Sequence, residues 1–588
     1  MLPAYLLIGY DVLMEAAGGI GRGQIFDENF LMSIASIGAF AVGEAPEGVA
    51  VMLFYQVGEL FQSIAVGKSR KSISALLDIM PEYASLIKDN EIIQVSPEEV
   101  QIGDTVLVKP GEKIPLDGEI IEGFSSLDTS SLTGESVPRD VKEGDTVYSS
   151  SINLQGILKI RCTKAFSEST ASKIMELVEN SEMYKAKTEK FITRFSKYYT
   201  PTVVLSALLL AIIPPLFLGL FSFAVWSKWI HTALVFLIVS CPCALVISVP
   251  MAFFGGIGGA SRHGILIKGA NYLEMLAKCD TVAFDKTGTL TMGNFSVTEI
   301  HSYGCDESEL LRLVAGAEYY SNHPIAKSIK DANQTQIDPK SITHTEEIAG
   351  GGVYAIIEGN EIYAGSPGLL LENGIECQVV FCGGTCVHVA KNRKYLGHII
   401  IQDIPKEDAA DTMRALAQNK IKTVLLTGDR EDTAKELCAQ LGITEMHAEL
   451  LPKDKVTHFE SIQKSTKGHV AFMGDGINDA PVLARADVGI AMGAMGQDAA
   501  IEAADIVLMN DKPSDVLKAI TLSRKTMKIV RQNIVLALGV KAAILLLDLA
   551  VAASLFTIPG MAMTWIAVFG DVGVAVLAIL NSLRAMRA

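Results

Sequence analysis

Six apolar runs punctuate the chain, at about residues 30–43, 48–67, 202–225, 229–257, 530–555 and 558–582. Each is long enough, or nearly so, to cross the roughly 30 Å hydrocarbon core of a bilayer as a helix, so six membrane spans are predicted. A weaker run over 2–20 contains Gly18-Gly19, a pair expected to kink or end a helix. Between the runs the rhythm changes. Residues 72–197 alternate apolar and polar positions, as in Asp104 to Val108 and Gly156 to Ile160, with frequent Gly and Pro, which predicts a small β-rich domain. Residues 260–528 open on the apolar strand Thr281 to Phe284 and later alternate strands (Thr423 to Leu426, Val470 to Met473) with helical stretches, the layout of a parallel α/β sheet. A stretch over about 300–395 interrupts that pattern with a helix and strands of its own, and reads as an inserted domain.

Composition sharpens this division. Of 588 residues 49% are hydrophobic and 20% charged, the formal net charge is −16, and mean hydropathy is +0.33. Membrane and water-soluble parts are therefore segregated along one chain. So acidic a chain is a poor nucleic-acid binder, because that affinity comes from Lys and Arg neutralising phosphates. The nine cysteines lack the spacing of a disulfide framework, which places the soluble part in a reducing compartment. No cleavable leader is evident, since Leu2 to Ala17 is apolar without a basic start. Basic residues at Lys68 to Lys71, Lys185 to Lys197, Arg262, Lys268, Arg524 to Arg531 and Arg584 flank alternate ends of the spans, so both large loops are expected in the cytosol.

Asp285 stands at the end of the first α/β strand, in Asp285-Lys286-Thr287-Gly288-Thr289. A carboxylate at the carboxyl end of a parallel strand lies where such folds bind ligands, and can attack a γ-phosphoryl group. Alone, such an aspartate is most often an ordinary loop residue. Its companions change that reading. Thr427-Gly428-Asp429 follows the strand ending at Leu426 and can hold phosphoryl oxygens, while Lys453, in Pro452-Lys-Asp-Lys455, can neutralise their charge. Asp475, with Asn478 and Asp479 close by, offers hard oxygen to Mg2+.

With these motifs the chain resembles the P-type ATPases, over essentially its whole length. The resemblance implies an α-helical transmembrane bundle, a β-rich actuator domain and a haloacid-dehalogenase-like α/β phosphorylation domain with an inserted nucleotide-binding domain. It implies an aspartyl-phosphate at Asp285, with Mg2+ on Asp285, the Thr287 carbonyl and Asp475. Thr133-Gly134-Glu135-Ser136 matches the family's dephosphorylation loop, in which Glu135 would activate water; read alone it is a common loop or helix cap. His323-Pro324, Glu318, Gly350 and Gly352 match residues lining the ATP pocket of the heavy-metal branch. No Walker-type glycine loop is present.

Cys241-Pro242-Cys243 lies inside an apolar span. Proline removes a helical hydrogen bond, and the unwinding lets two thiolates, otherwise about 200° apart on a helix, converge on one ion. Asp571, in Asp571-Val572-Gly573, and Lys541, with Asn533 eight residues earlier, put ionisable groups in the last two spans, where they are costly and read as functional. Two thiolates and a carboxylate carry three negative charges; a divalent ion with Lys541 as counter-charge completes a neutral set, whereas soft Cu(I) gains little from carboxylate. This pattern resembles the zinc/cadmium/lead-exporting subgroup of the heavy-metal branch, whose exit-path carboxylates Glu59 and Glu47 resemble. Asp548, seven residues and about 10 Å beyond Lys541 on nearly the same face, is a further exit candidate.

The expected divisions are transmembrane helices at 1–71 with a kinked first segment, an actuator domain at 72–197, a transmembrane pair at 198–258, the phosphorylation domain at 259–300 and 399–528, the nucleotide-binding domain at 301–398 and a last transmembrane pair at 529–588. The first of the family's usual helices and its metal-binding domain are missing from the expected pattern. The expected activity is ATP-driven export of cytosolic Zn2+, Cd2+ or Pb2+ by a monomer in a cell membrane, of bacterial type, with ATP and Mg2+ as cofactors and no nucleic-acid partner. Two alternatives stay open: a Cu(I)/Ag(I) pump, and a membrane-tethered phosphatase or metal sensor that transports nothing.

Overall fold

The computed structural model describes residues 1–588 apart from 22–27, 44, 47, 54, 58, 61–62, 64–80, 82, 89–90, 130–137, 171, 173–186, 219–221, 241–242, 322, 349–350, 378–383, 476–478, 494–502, 554, 556–557, 559 and 588. It divides into two compact units, Met1–Ala277 with Ala519–Ala588, and Lys278–Lys518.

The first unit holds the apolar helices Leu2–Gly21, Glu28–Val42, Lys187–Leu218, Phe223–Val239, Cys243–Ser261, Gly560–Ser582 and most of Asp515–Ala552. Val225–Ser261, Asp515–Ala552 and Trp565–Met586 are long and apolar enough to cross a membrane, and Asn29–Ala41, Gly48–Val57 and Pro201–Phe217 are shorter apolar helices. Their shared core includes Tyr5, Met52, Val235, Val239, Ile544 and Ala567. Gly18-Gly19 does not end the first helix, which continues to Gly21. Glycine weakens a helix by about 1 kcal/mol relative to alanine but keeps its N–H in the ladder, so a packed helix can run through it. The 229–257 run is broken instead. One helix stops at Val239, with Ser240 as its cap, and the next starts at Cys243.

The β-rich domain of this unit comprises a six-stranded sheet and a three-stranded one, around a core including Val106, Ile114, Leu116, Leu158 and Ile160. Thr105–Val108 and Leu158–Cys162 pair antiparallel, as the alternating pattern predicts. Between the strands one buried carboxylate gathers the loops. Asp117 accepts hydrogen bonds from Ser149 N (2.9 Å), from Thr170 N (3.1 Å) and from the Thr170 hydroxyl (2.8 Å). Lys164 lies 3.5 Å away and balances its charge.

In the second unit the strands Ile506–Leu508, Val488–Met492, His469–Gly474, Cys279–Phe284, Lys422–Leu426 and Glu445–His447 lie side by side in that order, all parallel. Apart from the half-buried edge strand Glu445–His447 they are almost wholly buried, the continuous apolar reading of strands covered on both faces. The inserted domain is a six-stranded antiparallel sheet with Glu307–Ala317 and Pro324–Ala332 packed on one face. Its edge and neighbour are the 12-residue strands Thr291–Ser302 and Lys394–Pro405. The insertion therefore begins near 291 and closes near 405, wider than the expected 301–398. Each long strand carries its turn-type glycines, Gly293 and Gly397, inside the strand rather than at a domain boundary.

Asp117→Ala leaves two buried N–H groups without acceptors, which costs about 2 to 4 kcal/mol. The full-length chain in detergent should unfold several degrees lower, with proteolysis first appearing within 84–170; an unchanged melting temperature would show that these loops find other partners.

Candidate phosphorylation and metal sites

Strand Cys279–Phe284 delivers Asp285 to the carboxyl edge of the parallel sheet, where its N–H donates to the Met473 carbonyl (2.8 Å). The following loop turns at Gly288, with φ +71°; a Cβ there would lie 1.9 Å from Asp475 Oδ2, so only glycine fits. Asp475 ends strand His469–Gly474, and Asp479 starts the helix Ala480–Leu483. One carboxylate oxygen from each of Asp285, Asp475 and Asp479 lies within 4.8 Å of the others. Lys455 answers this charge, donating to Asp285 Oδ1 (2.5 Å) and Asp479 Oδ1 (3.0 Å).

Burial, reinforced by Asp479, pushes the Asp285 carboxyl up to about 6 against the pull of Lys455. Burial and the Asp285 charge likewise raise Asp475 to about 6. Burial opposes the Lys455 charge, but the two aspartates outweigh it and hold the ammonium above its ordinary value. Lys286 pairs with Asp429, whose N–H donates to the Thr427 hydroxyl (3.1 Å). Lys286 and Asp429 border a cleft of about 390 Å³ that also includes Thr287 and Gly428.

A second cavity, of about 600 Å³, lies in the inserted domain between Glu318, His323, Glu347, Gly351, Gly352, Ser366 and Thr385. Glu318 is buried, which raises its carboxyl, with Glu347 adding to the effect. His323 caps helix Pro324–Ala332, its Nδ1 accepting from Ile325 N (3.3 Å). Gly352, at φ +138°, lets two strands approach; a Cβ would lie 2.2 Å from the Ala364 carbonyl oxygen.

Among the apolar helices, Lys541 is buried. Its ammonium donates to the Val239 carbonyl (2.9 Å), at the end of the broken helix, and pairs with Asp571. Asn533 is buried too and is used in packing: its amide donates to Ala578 O (3.1 Å) and Ser582 Oγ (2.9 Å).

The profile of the P-type ATPase actuator domain matches residues 78–179, and that of the haloacid dehalogenase-like hydrolases matches 279–487. The zinc-transporting ATPase of Synechocystis sp. is 53% identical over 587 residues, 99% of this chain and 80% of the relative. The chain is a P-type ATPase. The cadmium, zinc and cobalt-transporting ATPase of Bacillus subtilis is 52% identical, over 100% of this chain and 82% of its own length. A crystal structure of a zinc-transporting PIB-type ATPase in the E2.Pi state superposes with a TM-score of 0.63 at 36% identity, covering 99% of this chain and 94% of the other.

Some expected site residues of the ATPase fall elsewhere. Lys453 is exposed on the first turn of helix Pro452–Ser465, and the lysine facing Asp285 is Lys455. Two residues along a helix turn the side chain by about 200°, so only one of the pair can face the sheet edge. Glu59 is half-buried. Tyr55 donates to Asn29 Oδ1 (3.0 Å) and Asn29 donates to Glu15 (2.6 Å), at the start of helix Glu28–Val42. Glu59 lies one turn beyond Tyr55, hence at the end of this helix pair remote from its 43–48 connection. Asp548 is buried. Thr133, Gly134, Glu135, Cys241, Gly350, Asn478, Glu47 and the side chain of Cys243 lie outside the described residues.

The unfolded carboxyl of Asp285 titrates near 3.9, so between about pH 4 and 6 the folded ATPase holds a proton that the unfolded chain has lost, and its stability falls as pH rises through that window. Above pH 6 the buried charge carries its full penalty. Without Mg2+, Asp285→Asn should therefore melt higher than the parent at pH 7.5, by up to about 3 kcal/mol, with the gain shrinking toward pH 5. A thermal scan showing no gain at pH 7.5 would overturn this reading of the site.

Proposed function

We propose that this ATPase exports divalent zinc-group ions from the cytosol, cycling through a phosphorylated Asp285. The observation that carries the choice of ion is the Lys541–Asp571 pair, buried among apolar helices and anchored on the Val239 carbonyl beside Cys241-Pro242-Cys243. A carboxylate held there with a matched cation suits a divalent ion that brings two thiolates to the same place; a monovalent soft ion has little use for it. The transported ions named for the Bacillus relative, cadmium, zinc and cobalt, are consistent with such a mixed sulfur and oxygen set. Lead rests on the resemblance of the sequence alone.

Asp285 attacks the γ-phosphorus of ATP bound against Glu318, His323 and Gly352, forming the Asp285–phosphate bond and releasing ADP. Lys455 and Lys286 balance charge at the phosphoryl group, with Thr427 and Gly428 on its other side. Mg2+ fits the cluster of Asp285, Asp475 and Asp479, whose hard oxygens suit it, and when bound it neutralises phosphoryl charge. Glu135 then directs water onto the phosphoenzyme.

In inside-out vesicles, Zn2+, Cd2+ and Co2+ should stimulate ATP hydrolysis and be taken up, and Cu+ should not. Asp571→Ala should lower metal-stimulated turnover about tenfold or more, because it leaves the Lys541 ammonium buried without its counter-ion. Stimulation by Cu+ alone would overturn the divalent reading, and metal-independent hydrolysis without uptake would overturn transport.

A further inference from the structure

The two long strands that join the nucleotide-binding insertion to the phosphorylation domain, Thr291–Ser302 and Lys394–Pro405, are fastened to the phosphorylation loop itself. Near their ends the pairing slips: Thr291 opposes Pro405, but Phe295 opposes Asp403, so residues 292–294 bulge. Asp403 closes the bulge. Its Oδ1 accepts from Gly293 N (2.9 Å) and its Oδ2 from the Thr291 hydroxyl (2.5 Å). The carbonyl of Lys286, the residue following the nucleophile, accepts from the Thr291 N–H. One step past the second strand, Lys406 is buried and donates from Nζ to the Gly288 carbonyl (2.8 Å) and to Asp511 Oδ1 (2.7 Å). Its own N–H donates to the Leu290 carbonyl (2.9 Å). Carbonyls at 286, 288 and 290, the three alternate residues of the loop after Asp285, are thus all held from the two connecting strands and their immediate ends.

We propose that Asp403 and Lys406 are positioning residues that couple the nucleotide-binding insertion to Asp285. A buried ammonium with three acceptors and a carboxylate clasping a bulge cost desolvation and rotamer freedom, which a plain linker does not require. What they fix is the aim of the nucleophile relative to a phosphoryl donor carried by the insertion, and misplacement by about 1 Å can cost about a hundredfold in rate. Asp403 holds the strands and Lys406 holds the loop, so their losses differ. Freeing the strands harms transfer from ATP, whose γ-phosphoryl arrives with the insertion, and spares phosphorylation by inorganic phosphate, which reaches Asp285 without it.

The inference rests on Asp285 being the phosphorylated residue, and the test separates the two ideas. Full-length ATPase in vesicles is labelled from ATP with Zn2+ and, separately, from inorganic phosphate without ATP or Zn2+. Asp285→Asn should abolish both labels; residual label would refute the assignment of Asp285 itself. Asp403→Ala should slow labelling at saturating ATP about tenfold or more while leaving the phosphate-derived label within about twofold. Lys406→Met should lower both labels, and Lys406→Arg should restore much of each. If Asp403→Ala fails to accumulate, Thr291→Val removes one of the clasp's two bonds from the other side, keeps the Thr291 N–H on the Lys286 carbonyl, and should show the same split in smaller measure. Equal loss by both routes in the Asp403 or Thr291 variant, or no loss by either, would overturn the coupling.

Discussion

Three aspartates brought together at one edge of a buried parallel sheet repel each other, and the fold of the second unit depends on Lys455 to hold them there. Asp285 is delivered by one strand, Asp475 by the next, and Asp479 by the helix that follows it. Each is short of water, and only Asp479 and Asp285 have the lysine within bonding distance. Burial first, and the neighbouring aspartate second, raise the carboxyls of Asp285 and Asp475 against the pull of that one ammonium. The shortfall of positive charge is what a divalent cation and a phosphoryl donor carrying its own cations are suited to remove, so the site is least comfortable empty.

The same physical device recurs among the apolar helices. Asp571 is kept by Lys541, and the break after Val239 leaves a backbone carbonyl that gives the ammonium a second acceptor. Lysine suits both places because its charge is compact, its stem is flexible and its three protons can be shared among acceptors, whereas an arginine fork would fix one geometry. In each site a buried lysine is the cation paired with buried carboxylates.

Much of this was legible along the chain. Strands at 281–284, 423–426 and 470–473 follow from short apolar runs bounded by turn residues, and the structure extends each by only one or two residues. Asp285, Thr427 and Asp475 follow from their places just beyond those strands. Less was legible where an answer depends on helix phase or on distant partners. Lys453 and Lys455 are both lysines on one turn, and nothing in the local pattern says which faces the sheet. Glu59 reads as a carboxylate in a span, and the pairing of nearby Tyr55 with Asn29 of the preceding helix cannot be seen in the local pattern. Asn533, an amide in an apolar run, spends its donors on Ala578 and Ser582 and needs no ion to account for its burial.

Asp403 and Lys406 were invisible for a different reason. Their partners are 105 to 118 residues away for the lysine and 110 to 112 for the aspartate, and three of those partners are backbone atoms, which have no identity in a sequence. A chain that inserts one domain into another must bring its two connecting strands back to nearly the same point. The bulge at 292–294 and the carbonyls at 286, 288 and 290 are what that return presents for bonding. A carboxylate satisfies the bulge and an ammonium satisfies the Gly288 carbonyl, so the chemistry of these two positions follows from topology before any requirement of catalysis. Bonding them to the phosphorylation loop and to the bulge just after it makes the closure of the insertion and the aim of Asp285 a single structural problem.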